Sequence, residues 1–194
     1  MTPGSTSRRL VAQQWISLDG YAAGPDGEER IFAAVPDFSP GEKHNRDLLA
    51  EVDLVLLGRR TYESFVRFWP TAAEPMAELV NTTPKVVCST TLDTAPWGRF
   101  APAEVVADAV GHVRALRAGP GKDILLWGSL ALMRSLLRAR LVDELDLFVA
   151  PVLLGGGTPL VAPEGPYDLT QLGGDIWNGS THVRYAVGYR RDPD

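Results

Sequence analysis

Residues Leu54–Phe68 read LVLLGRRTYESFVRF. The apolar run Leu54–Leu57 suits a strand buried on both faces, as in a parallel sheet. It stops at Gly58, two arginines follow, and from Thr61 the apolar positions Tyr62, Phe65 and Val66 take up helical spacing. The segment predicts a strand, a tight turn and a helix, with cations at the turn. In an open α/β sheet, ligands sit at the carboxyl ends of strands. A helix N-terminus offers unpaired N–H groups to a phosphate, and arginine adds two-pronged hydrogen bonding. Leu54–Phe68 therefore points to a phosphorylated ligand.

Outward from this segment, the pattern of strand followed by helix recurs. Leu10–Ile16 reads as a first strand, broken by Ser17–Gly20 and the turn-forming Ala22–Gly27. Ser39–Pro40–Gly41–Glu42 has the form of a capping box and predicts a helix to about Glu51. Lys85–Ser89, Glu104–Val106, Asp123–Trp127, Glu144–Val152 and Thr181–Tyr189 read as strands, with helices over Val110–Arg117 and after Gly128–Ser129. A short helix is expected around Glu74–Val80. Alternation of this kind implies an α/β fold with a largely parallel sheet covered on both faces. The last two strands lack an evident helix between them, so an antiparallel portion is expected there.

Two more strand ends carry phosphate-friendly residues, Ser89–Thr90–Thr91 and Gly128–Ser129–Leu130. Each motif taken singly also fits a plain turn or helix cap. Parallel strands, however, bring their carboxyl ends to one edge. No GxGxxG follows the first strand and no GxxxxGK[ST] occurs, so neither a Rossmann site nor a P-loop is supported.

Composition narrows the function classes. The 194 residues are 45% hydrophobic and 22% charged, with a net charge of −5. That length fits one domain, expected over 9–194 after a disordered tail over 1–8. An acidic balance argues against nucleic-acid binding. The single cysteine, Cys88, lies in an apolar run and reads as a buried, inert thiol. His44, His112 and His182 are far apart and show no ligand spacing, so no metal is expected. No membrane-length apolar stretch and no signal-peptide pattern occur, so a soluble cytoplasmic protein is expected.

LLGRRTYESF, TTPKVVCSTTL, WGSLALMRSLL, LVDELDLFVAPVLLGGGTPL and the opening WISLDGYAAG together resemble the dihydrofolate reductase-like family. They are most similar to the reductase domain of the bifunctional riboflavin-biosynthesis enzyme and its stand-alone relatives. The resemblance runs from about Leu10 to Tyr189. It implies a three-layer α/β fold, with a mostly parallel sheet of about eight strands between helices. It also implies an NADPH-dependent oxidoreductase acting on a small heterocyclic or carbonyl substrate, riboflavin-pathway-like or dihydrofolate-like, and a homodimer. By the same resemblance, Gly58, Arg59, Arg60 and Thr61 would hold the adenine-side phosphates, with Arg59 on the ribose 2′-phosphate. Ser89 and Thr90 would meet the adenosine end, and Gly128, Ser129 and Leu130 the pyrophosphate. Gln14 and Trp15 would lie near the nicotinamide.

The chain departs from the family pattern in places. Gly128–Ser129 stands where a Gly–Gly pair is common. Asn81–Thr82–Thr83–Pro84–Lys85 stands where dihydrofolate reductases carry the arginine that binds the folate carboxylate, which counts against dihydrofolate as substrate. The deaminase domain of the bifunctional enzyme has no counterpart here. Two carboxylates are candidate proton donors. Glu42 falls nearest the family position but also completes the capping box. Asp19 opens the loop after the first strand and equally suits a turn. Trp15, Tyr21, Phe65 and Trp69 could wall a pocket for a flat ring. A flavin or deazaflavin cofactor on the same arginines, or a nucleotide-binding protein without catalysis, are the alternatives.

Overall fold

The computed structural model describes residues 7–161 and 166–189. The chain opens with strands β1 (Leu10–Ser17) and β2 (Tyr21–Ala23), followed by helices α1 (Glu29–Ala33) and α2 (Ser39–Glu51). Strand β3 (Val52–Gly58) leads directly into α3 (Arg59–Phe68), a short 3-10 turn and α4 (Ala77–Thr82). Next come β4 (Lys85–Cys88), the hairpin β5 (Ala95–Trp97) and β6 (Phe100–Val106), and α5 (Ala109–Ala118). Strand β7 (Asp123–Trp127), α6 (Leu130–Arg138) and β8 (Glu144–Ala150) follow. The chain closes with β9 (Thr158–Pro159), β10 (Asp168–Ile176) and β11 (Thr181–Gly188).

Nine strands form one sheet in the order β10-β11-β8-β1-β7-β3-β4-β6-β5. The centre, from β8 through β1, β7, β3 and β4 to β6, is parallel. The margins β11, β10 and β5 run antiparallel. This is the α/β three-layer arrangement expected from the sequence. Strand β3 shows why its run is apolar throughout. Leu54 and Leu56 pack with Val113 of α5 and Met133, Leu136 and Leu137 of α6. Val55 and Leu57 pack on the opposite face with Leu49 of α2, Tyr62 of α3 and Val80 of α4. Leu56, Leu57, Leu125 and Leu126 are fully buried, each contributing about 1.5–3 kcal/mol of apolar transfer. No helix among the described residues is long and apolar enough to cross a membrane.

The structure corrects three sequence expectations. Arg8, assigned to the tail, is buried: it pairs with Asp53, and its Nε donates to the Lys122 carbonyl at 2.6 Å. Residues 1–6 of that tail lie outside the described residues. The capping box does not form. Phe38 is the N-cap of α2 without a side-chain cap bond, Ser39 is the first helical residue, and Asp37 Oδ1 accepts from the Ser39 N–H at 2.9 Å. Finally, β10 was not expected. It is a sheet-edge strand exposed on both sides, with Leu169, Leu172 and Ile176 in solvent, so it lacks the in–out alternation that marks a half-buried strand.

Candidate active-site cleft

Parallel pairing of β7 with both β1 and β3 puts the carboxyl ends of these three strands on one edge of the sheet. There the structure holds a cleft of about 240 Å³, lined in part by Gln14, Trp15, Arg60, Thr61, Gly128 and Ser129. These are six of the proposed cofactor residues, drawn from three separate stretches of chain. Gln13, Phe32, Phe65 and Trp127 add walls that are largely aromatic. Trp127 meets Phe65 edge-on at 5.2 Å, and Trp15 meets Phe32 at 6.2 Å. Of the ring-pocket candidates, Trp15 and Phe65 line the cleft, whereas Tyr21 and Trp69 do not.

The Gly58 and Gly128 turns are tied together by one side chain. Ser129 Oγ accepts from the Gly58 N–H at 2.5 Å and donates to Thr61 Oγ1 at 2.8 Å. Ser129 sits at φ 65°, in the left-handed region beside Gly128 at φ 64°, a conformation that costs a non-glycine residue about 1–2 kcal/mol. An added Cβ at Gly58 would stand 3.0 Å from Ser129 Oγ, so a side chain there would press the serine out of place by a few tenths of an ångström. Serine thus holds this left-handed position at some backbone cost and offsets it as a cross-turn clamp. Ser129→Ala should lower stability by about 1–3 kcal/mol in urea denaturation, since it leaves the Gly58 N–H without its acceptor. Ser129→Gly should lose less, because glycine relieves the left-handed strain. Equal or greater loss for glycine would refute this account of the clamp.

Helix α3 starts at Arg59, with Gly58 as its extended N-cap, so Arg59, Arg60 and Thr61 form its first turn. Cations there oppose the helix dipole unless an anion is held at that end. Arg60 lines the cleft and makes no ion pair among the described residues. Arg59 points away from the cleft towards the β4 end, with Nη1 donating to Thr91 Oγ1 at 2.8 Å and Nε to Glu63 at 2.7 Å. Ser89 Oγ accepts from the N–H groups of Thr91 and Leu92 at 3.2 and 3.1 Å, which shapes that turn. Thr90 is exposed beside it, and Leu130 packs into the core behind α6. Gly58, Arg59, Ser89, Thr90 and Leu130 therefore lie outside the cleft proper.

Neither proposed acid lines the cleft. Asp19 accepts from Ser17 Oγ at 2.6 Å and from the N–H groups of Leu154 and Gly155 at 3.1 and 2.7 Å. Those bonds, the Ser17 hydroxyl first, lower its pKa to about 2. Asp19 pins the loop after β1 to the glycine loop, and these bonds together with its place outside the cleft count against a proton-donor role. Glu42 sits in the first turn of α2, half-buried, away from the cleft. The carboxylate that does line the cleft is Glu28, which immediately precedes α1. Its outer side is wet, but crowding on its protein side raises its pKa through desolvation. The sequence signal for it was weak: Glu28 closes a glycine-rich turn and reads as one more turn residue.

Other expectations have clear outcomes. Cys88 is half-buried, and burial pushes its thiol up to about 12, as an inert cysteine requires. Lys85 turns inward. Its Nζ donates to the carbonyls of Asn81 and Thr83 at 3.1 and 2.6 Å and lies 4.5 Å from the Trp97 ring centre. Burial lowers its pKa to about 8. Two of the three distant histidines, His44 and His182, converge on Asp146, which their sequence spacing did not show.

Comparison with known proteins agrees with this architecture. Residues 8–173 match the family described as RibD C-terminal domain. The protein YyaP of Bacillus subtilis (strain 168) is 31% identical over 165 residues, covering 82% of this chain and 84% of that protein. A candidate riboflavin biosynthesis protein from Shewanella sp. PV-4 has a similar structure, with a TM-score of 0.75 at 23% identity over 93% of this chain and 99% of that one. A dihydrofolate reductase from Enterococcus faecalis, complexed with NADP(H) and RAB-propyl, gives a TM-score of 0.60 at 14% identity over 92% and 96% of the two chains.

Proposed function

The chain belongs to the RibD C-terminal domain family, and on that premise we propose that it is an NADPH-dependent reductase of a small, flat heterocyclic or carbonyl substrate. The observation that carries this reading is the cleft at the β1, β3 and β7 ends, where a cationic helix start, a buried amide and an acid surround a ring-sized space. The residues fit a dinucleotide. Gln14 Nε2 is a buried donor with no partner among the described residues, and it suits the carboxamide of a nicotinamide. The first-turn N–H groups of α3, with Arg60, suit the adenine-side phosphates, and the Gly128–Ser129 turn suits the pyrophosphate. Arg59, beside Thr91 and Ser89, suits the ribose 2′-phosphate.

When bound, NADPH supplies the hydride. The chain supplies orientation and a proton. Trp15, Phe65 and Trp127 wall a slot for a flat ring. The Glu28 carboxyl, held protonated to higher pH than a free carboxylic acid, donates to the atom that gains charge as the substrate is reduced. An acid in the cleft favours catalysis over mere nucleotide binding. Lys85 is turned inward, its Nζ bound to the Asn81 and Thr83 carbonyls, so it is not offered to a substrate carboxylate, which favours a riboflavin-pathway-like ring over dihydrofolate. A cytoplasmic homodimer belongs to the same proposal, and sedimentation velocity tests its oligomeric part.

Thermal shift with NADPH, NADH, FMN and a deazaflavin in parallel tests the cofactor. A ligand at 100 times its Kd stabilises the native state by about 2.7 kcal/mol, so NADPH should raise the melting temperature most. No shift at millimolar NADPH, or a larger one with FMN, would overturn the assignment.

A further inference from the structure

On the α2 side, part of the sheet is polar where core is expected. Register places Gln13 of β1, Asp146 of β8 and Arg184 of β11 in one row, and Trp15, Phe148 and His182 in the next row on the same face. Helix α2 lays His44 over them. His44 Nε2 lies 2.8 Å from Asp146 Oδ2, and His182 Nε2 lies 2.6 Å from Oδ1. The two imidazole centres are 4.1 Å apart, and the three potential ligand atoms lie within 4.8 Å of one another. Asp146 and His182 are almost wholly buried, at 1% and 3% exposure. Trp177 stacks flat on His182 at 4.9 Å.

We propose that His44, Asp146 and His182 are three protein ligands of a divalent transition-metal site of the zinc class, its fourth position facing the groove beside His44. Two imidazole nitrogens and one carboxylate oxygen are a donor set that zinc takes, with one position left for water. Ligands each about 2.1 Å from a tetrahedral metal stand roughly 3.4 Å apart, so the two His–Asp contacts, now 2.8 and 2.6 Å, would each widen by about 0.6–0.8 Å.

The surroundings support a metal over a plain hydrogen-bonded triad. In the triad, His182 Nε2–H donates to Asp146 and leaves Nδ1 buried with no hydrogen-bond partner among the described residues. A metal on Nε2 moves the ring proton to Nδ1. Asp175 Oδ2 lies 3.6 Å from that atom on a largely exposed side chain, able to close the gap and act as the carboxylate that steadies a ligating histidine. Gln13 Nε2 holds Asp146 Oδ2 in the same way, at 3.0 Å. An entry path exists. His44 lines a second cleft of about 610 Å³ together with Asp47 and Glu51. The two arginines on its wall are already neutralised, Arg9 by Asp123 and Arg184 by Glu144. This cleft lies at the amino ends of β1 and β7, away from the reductase cleft. The site would clip α2, β8 and β11, which are distant in sequence, and it stands independently of the reductase reading.

The test uses tag-free full-length chain, stripped with chelator and dialysed, then titrated with Zn²⁺ by calorimetry and Co²⁺ by visible absorption. The expected result is one equivalent per chain, cobalt bands of low-coordinate intensity, and a higher melting temperature on loading. His44→Gln, at the more exposed ligand, should keep the metal-free melting temperature near that of the wild type. It should weaken Zn²⁺ at least ~100-fold, more than the ~10-fold expected of Asp175→Asn. No stoichiometric uptake by the wild type, or unchanged affinity in His44→Gln, would overturn the proposal.

Discussion

Arg59→Ala is expected to weaken NADPH by about 10- to 100-fold, the value of one or two charge-assisted hydrogen bonds, and to leave NADH nearly unchanged. Arg59 stands in the first turn of α3, off the ring-sized cleft, at the end of the site where the adenosine half would run. Its guanidinium is exposed and already shared between Glu63 and Thr91. Part of any gain on binding a phosphate is therefore offset by loosening those contacts, and salt should shrink the NADPH–NADH difference. Arg60→Ala is the companion variant. Arg60 lines the cleft itself, so its loss should weaken both cofactors alike. Titrations by intrinsic fluorescence quenching, run at two ionic strengths, distinguish the pair. Equal losses of NADPH and NADH in Arg59→Ala would remove the 2′-phosphate assignment.

The second large effect is on turnover. Glu28→Gln should lower kcat by roughly 10²- to 10³-fold with a small change in KM, as expected for loss of a proton donor rather than of binding. The sign of the pH dependence follows from desolvation, which raises the Glu28 pKa. The active form is protonated, so wild-type kcat should fall as pH rises through that pKa, and the variant should lack this limb. Any heterocycle turned over by the wild type with NADPH serves as the substrate. Carboxyl titration of Glu28 by NMR gives a readout independent of turnover. A variant with wild-type kcat and an unchanged pH profile would leave the cleft without its acid.

Much of the fold was legible because it is written locally. Leu54–Leu57 had to be buried on both faces, and the structure buries Leu56 and Leu57 completely, on opposite sides of the sheet. The strand-end motifs were legible for the same reason: a glycine and a polar residue after an apolar run mark where a strand turns into a helix. Strand β10 was not legible, since a strand exposed on both faces carries no hydrophobic period. The capping of α2 was misread because Ser39 suits an N-cap by residue type, whereas the backbone path makes Phe38 the N-cap and Ser39 the first helical residue.

The site divides along the same line. The sequence by itself determined that cationic and glycine-bearing turns would end several parallel strands, because strand, turn and helix are encoded in neighbouring residues. Only the tertiary structure decided which of these side chains meet. It spent the Ser129 hydroxyl on joining two turns, fixed Asp19 as a loop anchor, brought Glu28 into the cleft, and closed His44 and His182 on Asp146. Those last contacts join residues 36 and 102 positions apart. Sheet order and register set them, and these follow from packing the whole chain rather than from any local stretch.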